Sequence, residues 1–127
     1  MARAFGMFLK RPVPGQVKTR LAAEVGEQTA ADLYAAFVAD LADRFRTAGD
    51  RRFLAYSPDD EPTRGYVRSL AGSDYELWAQ PAVDLGQRMQ AFFEHAGATR
   101  GQPTVLIGSD TPSLPHDYVE QAFDYLQ

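Results

Sequence analysis

The chain has 127 residues, 45% of them apolar, no cysteine, and a formal net charge of −4. A chain of this length suits one domain that buries roughly two-thirds of its unfolded surface without covalent staples. The composition excludes disulfides, thiolate nucleophiles and cysteine zinc sites, and the 24% charged and 12% aromatic content argues against disorder.

The predicted elements alternate in type. Residues 4–9 form a short apolar run ended by Arg11-Pro12, the mark of a buried strand. Pro12-Val13-Pro14-Gly15 is loop chemistry. A short helix is expected to start near Thr19, with Thr19 as its cap, and to stop at Gly26. A longer helix follows over 29–47, with Leu33, Phe37, Leu41 and Phe45 four apart and Ala30, Tyr34 and Val38 beside them. Residues 52–56 read as a second strand, and 62–71 as a helix that opens with proline. Residues 75–79 read as a third strand. A helix over 84–96 has Leu85, Met89, Phe92, Phe93 and Ala96 on one face. Residues 104–107 are the clearest buried strand, and 117–126 a last helix with Val119, Ala122, Phe123 and Leu126 inward. Met7, Met89 and the phenylalanines are expected in the core.

Strand and helix alternating at this spacing imply an α/β fold with a three-layer, mainly parallel, Rossmann-like sheet and helices on both faces. Ligands of such sheets bind beyond the carboxyl ends of the strands, where the strand order switches. The loops after the first and fourth strands are therefore the candidate site. The last helix carries no stop signal, and a four-stranded open sheet leaves an edge that proteins usually pair or cover. The expectation is that the chain is one domain belonging to something larger, with the edge open to homo-oligomer formation.

Charge is unevenly placed. Residues 1–23 hold five bases (Arg3, Lys10, Arg11, Lys18, Arg20) and no acid, while residues 24–127 hold eight bases and seventeen acids. The acidic body disfavours nucleic acid, which needs a broad basic face, and the small basic spot suits a compact phosphate. No apolar run approaches the ~20 residues of a membrane helix, and no secretory leader is recognisable, so no membrane partner and a cytoplasmic location are expected.

The loop after the first strand offers Gly15 for close backbone approach, a helix start, and Lys10, Lys18 and Arg20 as cations, which together make a candidate pyrophosphate seat. It is neither a Walker A loop nor the three-glycine dinucleotide fingerprint. The bland alternative is a stiffened, solvated connection. After the fourth strand comes Gly108-Ser109-Asp110-Thr111-Pro112-Ser113-Leu114-Pro115. A carboxylate placed there is a ligand for a hard divalent ion, Mg²⁺ or Mn²⁺, at a bound diphosphate. The alternative is that Asp110 or Ser113 caps the next helix or forms an Asx turn. Asp84 reads as an N-cap, with Arg88 within reach of a phosphate. His95 and His116 have no metal-ligand partner at a useful spacing.

Three runs carry a resemblance. They are Phe8-Leu9-Lys10-Arg11-Pro12-Val13-Pro14-Gly15-Gln16-Val17-Lys18-Thr19-Arg20-Leu21, then Asp84-Leu85-Gly86-Gln87-Arg88-Met89, then Gly108-Ser109-Asp110-Thr111-Pro112-Ser113-Leu114-Pro115. In that order they resemble the DUF2064 family, the radical-SAM/selenodomain-associated transferase 1 group, classed with GT-A-type nucleotide-diphospho-sugar transferases. The resemblance implies a nucleotide-diphosphate-binding domain. Lys10, Gly15, Lys18 and Arg20 match the family's nucleotide-contacting loop, Arg88 matches its helix start, and Asp110 matches its metal-binding acid. The family continues past the last helix with a further strand and an Asp-Gly-Gly-Tyr-Tyr segment. The resemblance therefore implies that this chain is either the N-terminal portion of a GT-A-like transferase or a shortened homologue of one.

The function expected is a glycosyltransferase that takes a nucleotide-diphospho-sugar with a divalent ion. Two alternatives use the same site: a nucleotidyltransferase acting on a nucleoside triphosphate, and a non-catalytic nucleotide-binding or partner-binding domain. No general base can be assigned from the sequence.

Overall fold

The computed structural model describes residues 2–126. Its elements run β1 (Ala4–Lys10), α1 (Thr19–Val25), α2 (Glu27–Arg44), β2 (Arg51–Ser57), α3 (Glu61–Ala71), β3 (Glu76–Ala79), α4 (Leu85–Ala96), a 3₁₀ turn (Ala98–Arg100), β4 (Thr104–Ile107) and α5 (His116–Tyr125). The strands form one sheet in the order β3-β2-β1-β4, and every pairing is parallel. The first two crossovers carry the chain from β1 outward to β3, and the third returns it past β1 to β4. Crossovers in such sheets are right-handed, so reversing the direction of travel puts the third helix on the opposite face. That is how α4 comes to lie alone on one side while α2, α3 and α5 share the other.

Side-chain alternation along β1 divides the core. Phe5, Met7 and Leu9 point to the thick side and pack with Val38, Leu41 and Phe45, Val67 and Ala71, and Val119 and Phe123. Ala4 and Phe8 point to the thin side, against Phe53, Ala55, Trp78, Phe92 and Ala96. Phe92 centres that cluster, edge-on to Phe8, Phe53 and Trp78 at 5.6–5.9 Å between centroids. Gly6 makes this possible. A Cβ at Gly6 would lie 2.1 Å from Phe92 Cζ, so the ring reaches the sheet only because β1 has no side chain there.

The observed bounds fall within three residues of those expected, and several details differ. Gly26, at φ 94, ends α1 and opens α2 at once, so α2 begins at Glu27, and it ends at Arg44 ahead of a turn through Phe45 and Ala48. Thr19 is the first residue of α1, not its cap. Lys18 holds the cap position and makes no side-chain cap bond. Leu33, Met89 and Leu126 are exposed rather than inward. Leu33 lies one position off the stripe formed by Tyr34, Val38 and Leu41. Met89 and Leu85 face the sheet's carboxyl edge, where no element covers them. Asp84 caps α4 as expected, accepting from the Gln87 N–H at 2.8 Å. Among the described residues no helix is long and apolar enough to cross a membrane.

Candidate functional site

β1 and β4 are neighbours in space but lie at opposite ends of the path taken by the chain. The strand order reverses between them, and a cleft opens at their carboxyl ends, as expected where crossovers diverge. Its volume is about 640 Å³, within the ~300–1,000 Å³ range of small-molecule sites. The floor is Phe8, Leu9, Leu106 and Ile107 from the two strands. One wall is the segment 16–19, and the other is α4 through Leu85, Arg88 and Met89.

On the β1 side, the loop folds through a turn in which the Gln16 N–H donates to the Val13 carbonyl at 3.0 Å and Gly15 takes φ 83. Val17 is buried in the thick core and anchors the loop. Lys18 follows in the left-handed region, φ 51 and ψ 47, the only described non-glycine residue with positive φ. Side-chain-bearing residues avoid that region by about 1–2 kcal/mol, so the surroundings must hold Lys18 there. They do: its ammonium lies 3.0 Å from Asp110 Oδ1 and 5.5 Å from the centre of the Phe37 ring.

On the β4 side, Gly108-Ser109-Asp110 carries the chain out of the strand. Ser109 is buried and Asp110 is exposed. Asp110 is not a helix cap. Pro115 holds the cap position of α5, and no side chain caps that helix. The loop is held from α2: Arg44 Nη1 donates to the Pro112 carbonyl and, at 3.1 Å, to the Leu114 carbonyl. Tyr34, also on α2, reaches between the strands. Its hydroxyl accepts from the Lys10 N–H at 3.0 Å and shares a 2.7 Å bond with the Ser109 hydroxyl. Burial pushes the Tyr34 phenol above its ordinary value, so it is a neutral hydroxyl at physiological pH.

On the α4 side, Gln80 is fixed by its amide nitrogen to the Ala55 carbonyl at 2.8 Å. Arg88 Nε donates to the Val83 carbonyl at 2.7 Å, and Nη1 lies 3.4 Å from Gln80 Oε1.

Of the residues singled out in the sequence, Lys10, Lys18, Arg88 and Asp110 line this one cleft. Gly15 and Arg20 lie outside its lining. A Cβ at Gly15 would meet the Glu27 carboxylate at 3.3 Å, so its glycine character serves the turn. At Gly108 an added Cβ would meet nothing within 4 Å. α1 is only seven residues long, so attraction for an anion rests on side-chain cations and not on a helix dipole. The lining holds three cations and one carboxylate in a protein of net charge −4, a local inversion of sign that draws anions in. Sequence reasoning missed Tyr34, Gln80 and Ser109. The one signal for Tyr34 was a tyrosine at an otherwise apolar core position, where a buried hydroxyl needs a partner.

The profile of DUF2064, an uncharacterized protein conserved in bacteria, matches residues 38–127. The chain belongs to the DUF2064 family. A comparison with curated proteins finds no match. Among solved structures this DUF2064 chain is similar to a "putative nucleotide-diphospho-sugar transferase" from Desulfovibrio desulfuricans, at 33% identity and a TM-score of 0.87 over 98% of its residues. It spans about half, 54%, of that protein's length.

Among the described residues no group of three or more histidine, cysteine or acidic side chains is placed to hold a metal. A complete protein-built metal cage is therefore absent from them. A single carboxylate beside a phosphate seat is a different donor set. It fits an ion such as Mg²⁺, which keeps most of its waters and is held by one or two carboxylates together with substrate phosphates.

Proposed function

We propose that this DUF2064 chain binds the nucleoside-diphosphate portion of a nucleotide-diphospho-sugar and serves glycosyl transfer. The observation that carries the reading is the cleft at the β1–β4 switch point, lined by Lys10, Lys18, Arg88 and Asp110 above an apolar floor. The similarity to a protein bearing a transferase name, over half of that protein's length, supports the same class.

In this reading Lys18 and Lys10 neutralise the diphosphate oxygens, and Arg88 contributes a planar fork suited to phosphate. Asp110 would hold Mg²⁺ or Mn²⁺ together with those oxygens. When bound, such an ion stabilises the charge that grows on the departing diphosphate. The free chain already pairs Lys18 with Asp110 at 3.0 Å. Ligand binding therefore exchanges that ion pair for a lysine–phosphate contact and releases the carboxylate.

The test is a thermal-shift panel of UDP, GDP, UTP and GTP, with and without Mn²⁺. UDP or GDP should raise the melting temperature, and more so with Mn²⁺, because a ligand stabilises the state it binds. Asp110→Ala should abolish the metal-dependent part of the shift while leaving a smaller metal-free part. Absence of any shift across the panel would overturn the reading. A shift with triphosphates alone, with pyrophosphate released on turnover, would replace it with nucleotidyl transfer.

A further inference from the structure

The two loops that form the cleft follow β1 and β4, whose paired first residues, Ala4 and Thr104, are 100 positions apart in the chain. One side chain joins their ends directly. The Tyr34 hydroxyl accepts from the Lys10 N–H, at the last residue of β1, and shares its second bond with Ser109, the residue before Asp110. Tyr34 is 5% exposed, and its ring is packed in the thick core beside Val17. Its phenol oxygen is thus held by the body of the molecule while both loops hang from it. Arg44, at the end of the same helix, grips the far end of the second loop through the Pro112 and Leu114 carbonyls.

We infer that Tyr34 is a positioning residue for the binding function proposed above, one that sets the separation between the cations after β1 and the carboxylate after β4. This inference rests on that reading for its functional consequence and on the geometry alone for the tie. Without the hydroxyl, a part-buried N–H and a buried serine hydroxyl lose their partner, and each loop end must find water or move. Either response alters the spacing at Asp110, one residue from the broken bond. Tyr34 itself touches no reacting group, and its influence passes through Lys10 and Ser109.

The test compares Tyr34→Phe with Tyr75→Phe. Tyr75 supplies a matched control, because it is equally buried and donates its hydroxyl to the Ala42 carbonyl at 2.6 Å, away from the cleft. In amide hydrogen exchange on the free protein, Tyr34→Phe should speed exchange both at residue 10 and across 108–111, and Tyr75→Phe at neither. Faster exchange at residue 10 alone would overturn the tie. In titrations with UDP plus Mn²⁺, Tyr34→Phe should weaken binding about five- to tenfold, the scale of one lost hydrogen bond, and Tyr75→Phe should not. Adding Ser109→Ala to Tyr34→Phe should weaken binding little further, because both remove one interaction. Wild-type binding of UDP with no difference between the two phenylalanine variants would overturn the positioning role. A wild type that binds neither UDP nor GDP would sink the functional reading instead, and the exchange measurement then decides the tie by itself.

Discussion

Lys18 carries two burdens at once. It occupies a backbone region that favours glycine, and its ammonium neutralises Asp110 in the free protein. Removing the side chain therefore has opposite effects on two ligands. Lys18→Ala should weaken UDP binding with or without Mn²⁺, since a phosphate contact is lost. The same change should tighten the binding of Mn²⁺ alone by up to about fivefold, the worth of a partly exposed ion pair, because the carboxylate is freed. Calorimetric titration of each ligand separately checks both signs, and weaker Mn²⁺ binding in the variant would refute the competition. Lys18 and Asp110 were legible in the sequence because both lie in the segments that leave the carboxyl ends of strands, where parallel sheets present ligands. Tyr34 was not. Its role depends on a bond to a residue 75 positions away, which no local pattern encodes. Gly15 and Arg20 show the converse limit. Gly15 shares the loop with Lys18 and Arg20 stands in the first turn of α1 just after it, yet nearness in sequence does not determine which residues line the cleft.

Among the elements, β1 and α4 are coupled through a single atom's absence. Gly6 admits the Phe92 ring to a position a methyl group would occupy. Gly6→Ala should destabilise the protein by about 1–3 kcal/mol through overpacking, as read from urea unfolding. Shortening the ring in the double variant Gly6→Ala/Phe92→Leu should cost less than the sum of the two single changes, because the clash and the lost ring are one interaction. Strict additivity would show that the two positions do not meet. The helices themselves were readable from their periodicity, and Asp84 from its capping pattern. The exposure of Leu85 and Met89 was not, since periodicity identifies an apolar face without saying whether anything covers its far end.

For the molecule as a whole, alternation of strand and helix foretold a parallel sheet, but the order β3-β2-β1-β4 came only with the structure. Order is a long-range property, and it is what places β4 beside β1. The thick side of that sheet also buries tyrosines whose ionisation links stability to pH. Burial raises Tyr34 and Tyr75 above the ordinary value of 10.0 and pushes Tyr66 up to about 12. A raised folded value means that the folded chain keeps protons the unfolded chain gives up. The stability these groups contribute is thus present in full below pH 10 and is lost as pH climbs through the folded values. Urea midpoints should fall progressively from pH 10 to 12, and Tyr75→Phe should flatten the decline. A midpoint unchanged up to pH 12 would contradict the linkage.

The unequal covering of the sheet has one more effect. Three helices back one face, whereas α4 clings to the other through the ring of Phe92 and its few neighbours. Segments with sparse apolar anchorage detach at lower free energy than the whole molecule unfolds. Peeling α4 away removes Leu85, Arg88 and Met89 from the cleft and leaves Lys18, Tyr34 and Asp110 standing on the well-backed side. The cavity thus has one bank with deep apolar backing, which carries Lys18 and Asp110, and one with shallow backing, which carries Arg88.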